Sequence, residues 1–168
     1  MIDTFAMDNV ELYIPPKKGK SHVLRIIREL LEFKSKSKKT DINVPLKFVS
    51  NILKNRSIAF IISDFVSKDY SNSLKIFSSK HDVTGIRVYD QTEEIIPNLG
   101  VIDINDNETG QRLTVNTGSK IVRKKYAEYY NLKRMEFTEN FKMSGSGIIE
   151  CNTQDDYQKK LLKYFKSR

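Results

Sequence analysis

The run Ser57-Ile58-Ala59-Phe60-Ile61-Ile62-Ser63-Asp64-Phe65 is apolar almost without a break and rich in isoleucine. Such a run reads as a strand buried on both faces, as in parallel sheets covered by helices. It stops at a carboxylate. In open α/β sheets the ligand crevice lies just beyond the carboxyl ends of the strands, so Asp64 stands where function is expected.

Upstream, Val10, Leu12 and Ile14 alternate with Glu11 and Tyr13, the pattern of a half-buried strand, and Pro15-Pro16 closes it. Val23, Ile26, Ile27, Leu30 and Leu31 then fall on one face of an amphipathic helix. A polar loop, Lys34-Ser35-Lys36-Ser37-Lys38-Lys39, follows. Asn43 and Pro45 supply cap and first-turn chemistry for a short helix bearing Leu46, Val49, Ile52 and Leu53. Downstream of the apolar run, Asp69 is suited to cap a helix in which Tyr70, Leu74 and Phe77 face inward. A second strand, Val83 to Tyr89, again ends at an acid, Asp90.

Val101–Asn105 and Gln111–Val115 flank Asp106-Asn107-Glu108-Thr109-Gly110 as a hairpin. A long helix from Ser119 to Met143 carries Val122, Tyr126, Tyr129 and Phe141 and stops at Gly145. Ile148–Cys151 is a last short strand. Thr153 and Asp156 resemble a capping box opening a terminal helix that buries Tyr157, Leu161, Leu162 and Phe165. Strands alternating with helices demand crossover connections, hence an α/β fold with a mainly parallel sheet flanked by helices and an inserted β-hairpin. No internal repeat or linker breaks residues 1–168, so one domain is expected.

At 168 residues and 39% hydrophobic, the chain can bury a core without disulfides or metals. Cys151 is the single cysteine, which excludes an internal disulfide and argues against a zinc cluster. Asp3, Asp8 and Glu11 near the start leave no apolar signal region, and no apolar stretch approaches the roughly 20 residues of a membrane span. A cytoplasmic protein without membrane contact is expected. The net charge of +8 favours polyanions or acidic protein surfaces as partners.

Several fragments stand in order: Tyr13-Ile14-Pro15-Pro16-Lys17-Lys18-Gly19-Lys20, Ile61-Ile62-Ser63-Asp64-Phe65, His81-Asp82-Val83, Arg87-Val88-Tyr89-Asp90 and Glu108-Thr109-Gly110. In register, from about residue 9 to the C-terminus, they resemble the von Willebrand factor A-like proteins associated with MoxR-type AAA ATPases. The resemblance implies a Rossmann-like sheet and a metal-ion-dependent adhesion site. It implies Mg²⁺ only for the complete family site, whose first strand ends in Asp-x-Ser-x-Ser and whose other loops add further oxygens. Asp64 matches one such contribution, a remnant metal ligand. Thr4-Phe5-Ala6-Met7-Asp8 matches the end of the family's second strand, so the resemblance implies an N-terminally truncated domain lacking the first central strand. The Ile58–Ser63 strand then becomes an apolar sheet edge. Either the Val10–Ile14 strand moves over to pair with it, or a second molecule covers it, and a homodimer through this edge is expected.

Asp69-Tyr70-Ser71-Asn72-Ser73 matches Asp-x-Ser-x-Ser letter for letter but opens a helix, where a cap and exposed serines account for it. His22 and His81 have no neighbouring sequence partner for catalysis, and Cys151 reads as a packed thiol. The seven glycines form no phosphate loop, and Ser63 lacks the Gly-x-Ser-x-Gly turn. An enzyme is not expected. Basic clusters at Lys17-Lys18-Lys20, residues 34–39, Arg123-Lys124-Lys125, Lys133-Arg134 and the C-terminus keep a nucleic-acid-binding domain as the alternative. The helical clusters are interleaved with Glu128, Glu136, Asp155 and Asp156, as on solvated faces. The reading favoured is a non-enzymatic protein-interaction module, with a MoxR-type AAA ATPase as its candidate partner.

Overall fold

A computed structural model describes residues 3–6, 10–34, 40–90, 94–105 and 112–167. The elements run β1 (Asp3–Ala6), β2 (Val10–Ile14), α1 (Lys20–Glu32), α2 (Asn43–Ile52), β3 (Ile58–Ser63), α3 (Ser71–Ser78), β4 (Asp82–Tyr89), β5 (Val101–Asn105), β6 (Arg112–Asn116), α4 (Lys120–Met143), β7 (Gly147–Asn152) and α5 (Tyr157–Lys166). The central sheet has the order β3-β4-β7, all parallel, with Ile58 opposite Asp82 and Arg87 opposite Glu150. Parallel neighbours require crossovers, and α3 and α4 supply them. Two antiparallel pairs stand apart from this sheet: β1 with β2 and β5 with β6. The loop expected at Asp106–Gly110 and most of the polar loop, residues 35–39, lie outside the described residues.

Period-two alternation divides the central sheet into two faces. Ala59, Ile61, Val83 and Ile148 join a core with Ile42, Leu46, Phe65, Tyr70, Leu74, Phe77, Phe137 and Phe141. Gly85 lies on this face because nothing larger fits: a Cβ there would stand 2.5 Å from the Phe141 ring. Phe65 turns the chain off β3 at φ 59°, a left-handed conformation that a bulky residue rarely adopts. Its ring is held 4.3 Å from Phe137 and 5.3 Å from Phe141, and that packing offsets a backbone strain of about 1–3 kcal/mol. On the opposite face α5 lies across β4 and β7. Tyr164 Oη and Thr84 Oγ1 are 3.0 Å apart there, and Ile149 and Cys151 are buried.

Several expectations are corrected. β3 is not buried on both faces: Ile58, Phe60 and Ile62 are 68, 45 and 67% exposed. The strand ends the sheet, and α5 reaches it through Phe165, whose ring meets Phe60 edge-on at 5.9 Å. β2 does not move over to β3. It pairs with β1, Phe5 opposite Leu12. The terminal helix forms as expected but buries none of its residues fully, since it rests on a sheet only three strands wide. Its cap is Asp156, which accepts the Lys159 N–H at 3.1 Å, while Thr153 donates to Asp90 at 3.1 Å. Asn43 begins α2 without capping it. Asp41 accepts the Asn43 N–H at 3.0 Å, and the Asn43 side chain donates to the Asp69 carbonyl at 2.9 Å. In α4 the burial falls on Phe137 and Phe141, and Tyr129 is exposed.

Tyr70, Leu74 and Phe77 do face inward, and Gly145 ends α4 at φ +67°. Among the described residues no helix is long and apolar enough to cross a membrane.

Candidate functional site at the carboxyl ends of the strands

Asp64 follows the last residue of β3 and is exposed. Its Oδ1 accepts the Val66 N–H at 3.1 Å and the Ser63 hydroxyl at 3.3 Å. Ser63 Oγ in turn accepts the Phe65 N–H at 3.1 Å. These short loops of hydrogen bonds stabilise the turn in which Phe65 takes its left-handed conformation. Asp64 and Ser63 offer side-chain oxygens from one turn. Among the described residues no three His, Cys, Asp or Glu side chains gather where they could hold a metal ion. Mg²⁺ prefers six oxygens in octahedral array, and the described residues do not fit it.

The Asp69-Tyr70-Ser71-Asn72-Ser73 motif is engaged at the start of α3. Asp69 accepts the Ser71 N–H at 2.9 Å, and the Ser71 N–H and hydroxyl hold its carboxyl below the usual carboxylate range. Ser73 donates to Asn43 Oδ1 at 2.6 Å, tying α3 to α2. Tyr70, not the expected Asp69, takes the N-cap position of α3, and no side chain caps it; the motif works as a turn leading into the helix and as an inter-helix bridge.

The most unusual group at this end of the sheet is one that sequence reasoning passed over. Arg87 is buried on β4, pairs with Glu94, and lies 3.8 Å from Glu150 on β7. Glu150 accepts the Arg134 Nε–H at 2.9 Å, so α4, β4 and β7 share one charge network. The Arg87 guanidinium also stands 4.6 Å over the Tyr89 ring. A signal for it exists in the sequence: period two puts Arg87 on the same face as Val83 and Gly85, so a charge there must find partners. Removing one partner of a buried pair is far more damaging than the pair is stabilising, which makes this a structural hub.

The other candidate polar groups are also held within the structure. Buried His22 accepts the Lys17 N–H at 3.3 Å, and buried His81 accepts the Ser57 N–H through Nδ1 at 3.3 Å. Lys160 pairs with Asp155 and donates to the Glu150 carbonyl at 2.9 Å; the pairing lowers the Asp155 carboxyl pKa and raises that of the Lys160 amine. Cys151 is a buried thiol. Asp64 and the Arg87 network stand at one end of the sheet, whereas the two histidines and Cys151 converge on no common point that the structure defines.

The chain is similar to several known proteins. An uncharacterised protein of Mycobacterium avium is 25% identical over 116 residues, 68% of each chain. An uncharacterised protein of Mycobacterium tuberculosis is 20% identical over 160 residues, 92% of this chain and 50% of that protein, so the chain spans about half of that relative's length. Among solved structures, an aerotolerance-related membrane protein from Bacteroides fragilis superposes with a TM-score of 0.53 at 13% identity, covering 97% of this chain and 77% of that one. At that identity the likeness speaks for the α/β fold alone. Residues 4–136 match the protein family of unknown function DUF58, and with most of its length in that match the chain belongs to that family.

Proposed function

We propose that this chain is a non-enzymatic, von Willebrand factor A-like protein-interaction module without a working metal-ion-dependent adhesion site. It acts in the cytoplasm, pairs with a second copy through the β3 edge, and docks the acidic surface of a partner of the MoxR-type AAA ATPase kind. The observation that carries this reading is α1. Its apolar stripe faces solvent: Val23, Leu24, Ile27, Leu30 and Leu31 are all exposed, Leu31 at 81%, and only His22 and Ile26 are buried. A contiguous apolar stripe left open marks an interaction surface.

Charge says what kind of surface covers it. Between residues 17 and 39 there are nine Lys and Arg against two Asp and Glu, a net +7 out of the chain's +8. An acidic rim around an apolar groove complements that combination, with the charges speeding encounter and the apolar stripe holding the complex.

Calorimetric titration of the purified chain with a purified MoxR-type ATPase tests this. Binding is expected, and Leu31→Glu, at a highly exposed position, weakens it by about tenfold or more. No binding, or binding untouched by Leu31→Glu, overturns it. The same +7 supports the alternative of nucleic-acid binding. That reading prevails if duplex DNA binds and its affinity collapses steeply between low and moderate salt while Leu31→Glu has no effect.

A further inference from the structure

The β3 edge and its flanks have a chemical symmetry that selects both an occupant and a register. The segment reads Arg56-Ser57-Ile58-Ala59-Phe60-Ile61-Ile62-Ser63-Asp64. Lay it antiparallel against itself with Phe60 opposite Phe60, and every cross-strand pair matches in kind. Arg56 meets Asp64, Ser57 meets Ser63, Ile58 meets Ile62, and Ala59 meets Ile61. Directly opposed residues in an antiparallel pair point to the same face. The even-numbered set therefore makes an apolar stripe of Ile58, Phe60 and Ile62 from both copies, bounded at each end by an Arg–Asp pair. All five side chains of that set are exposed in the single chain.

From this we infer that a second copy of the chain covers β3, related by a two-fold axis through Phe60, with Arg56 of each copy paired to Asp64 of the other. The inference rests on the homodimer proposed above and fixes its geometry. Two three-stranded parallel sheets join across one antiparallel seam into six strands. A two-fold axis makes the interface isologous, so the Arg–Asp pair occurs twice. Neighbouring registers do worse. A shift by one residue sets Phe60 opposite Ala59 or Ile61, and it brings Asp64 against Asn55 or Ser57 rather than a cation. Asp64 keeps its role in the Phe65 turn, since Oδ1 holds the Val66 N–H and the second carboxylate oxygen would serve Arg56 of the other copy.

Two measurements separate the seam from its register. Sedimentation of the wild-type chain at high micromolar concentration is expected to show a dimer. A monomer overturns both the dimer and the register. Phe60→Cys in a Cys151→Ser background, treated with a mild thiol oxidant, is expected to cross-link, because a residue opposed to itself across an antiparallel pair lies within disulfide reach. Ala59→Cys in the same background stays uncross-linked, its partner being residue 61. A dimer that cross-links at 59 and not at 60 overturns the register and leaves the dimer standing.

Charge reversal gives a third reading that tolerates a weakened fold. Arg56→Asp alone sets acids against acids twice and weakens association about tenfold. Mixing the Arg56→Asp chain with the Asp64→Arg chain restores one Arg–Asp pair and sets one Asp–Arg pair the other way round in the heterodimer, which removes the like-charge clashes of both homodimers. Failure of the mixture to associate better than either variant alone overturns the Arg–Asp pairing.

Discussion

His81 sits where α3 hands the chain to β4, its ring 4.6 Å from that of Phe77. Nδ1 accepts the Ser57 N–H, so the proton of the neutral ring is on Nε2, a buried atom with no hydrogen-bond partner among the described residues. Burial, assisted by the charge of Lys80, lowers its pKa below the ordinary 6.5. A protonated ring would turn Nδ1 into a donor facing another donor. The unfolded chain therefore binds the proton more readily than the folded one. His81's contribution is complete above pH 6.5 and is lost as pH falls from there through the lowered folded-state value. Thermal melts from about pH 7.5 down to about 5.5 are expected to show a falling melting temperature, and His81→Gln, which keeps an acceptor without the titration, flattens that slope. An unchanged slope in the variant would assign the pH dependence to other groups. Asp64 illustrates the same scale from the other side. Its position at a strand end is legible in the sequence, but its employment in a turn with φ 59° at the next residue is not.

Among the elements, α5 covers the outer face of the central sheet while burying none of its own residues fully. It carries apolar residues at helical spacing, yet Tyr157, Leu162 and Phe165 stay exposed, and it is held by the Tyr164–Thr84 contact, the Phe165–Phe60 edge contact and the Lys160 anchor. Gly147 permits this approach, since a Cβ there would stand 1.8 Å from the Tyr164 hydroxyl. The Asp156 cap satisfies one of the orphan N–H groups of the first turn. Asp156→Ala is expected to destabilise the helix by about 1 kcal/mol and so to raise the population in which α5 has lifted from the sheet. Cys151 is a built-in reporter: it is buried on the face that α5 covers, and it is the chain's one thiol. Thiol labelling should run about fivefold faster in the variant, as a shift of about 1 kcal/mol dictates. An equal labelling rate would mean that Cys151 is shielded by something other than α5. The α1 stripe makes the opposite point at this scale. Its period is plain in the sequence, but periodicity reports an apolar face without saying whether that face finds a core or solvent.

For the whole molecule, the aromatic core beneath β3 and β4 and the charge network at Arg87 hold the three parallel strands together. The described strand-end residues form no cage for an ion. Millimolar Mg²⁺ or Mn²⁺ should therefore leave the melting temperature where it is, because only a ligand bound to the folded state raises it. A clear rise with either ion would show that oxygens assemble around it after all. That result would return Asp64 to the role the family resemblance implies.

Element order, the parallel character of the central sheet, the inward residues of α3 and the stop at Gly145 follow from patterns a few residues long: alternation, helical spacing, caps and breakers. Those patterns are local because backbone geometry is local. Which faces are covered is not a local matter. The exposure of Ile58, Phe60 and Ile62, the open stripe of α1 and the partners of buried Arg87 all depend on which segments arrive beside them. Side chains far apart in the chain, such as Thr84 and Tyr164, meet only once it has folded. The tertiary arrangement therefore decided which charges surround Arg87 and where the molecule offers apolar surface to a partner.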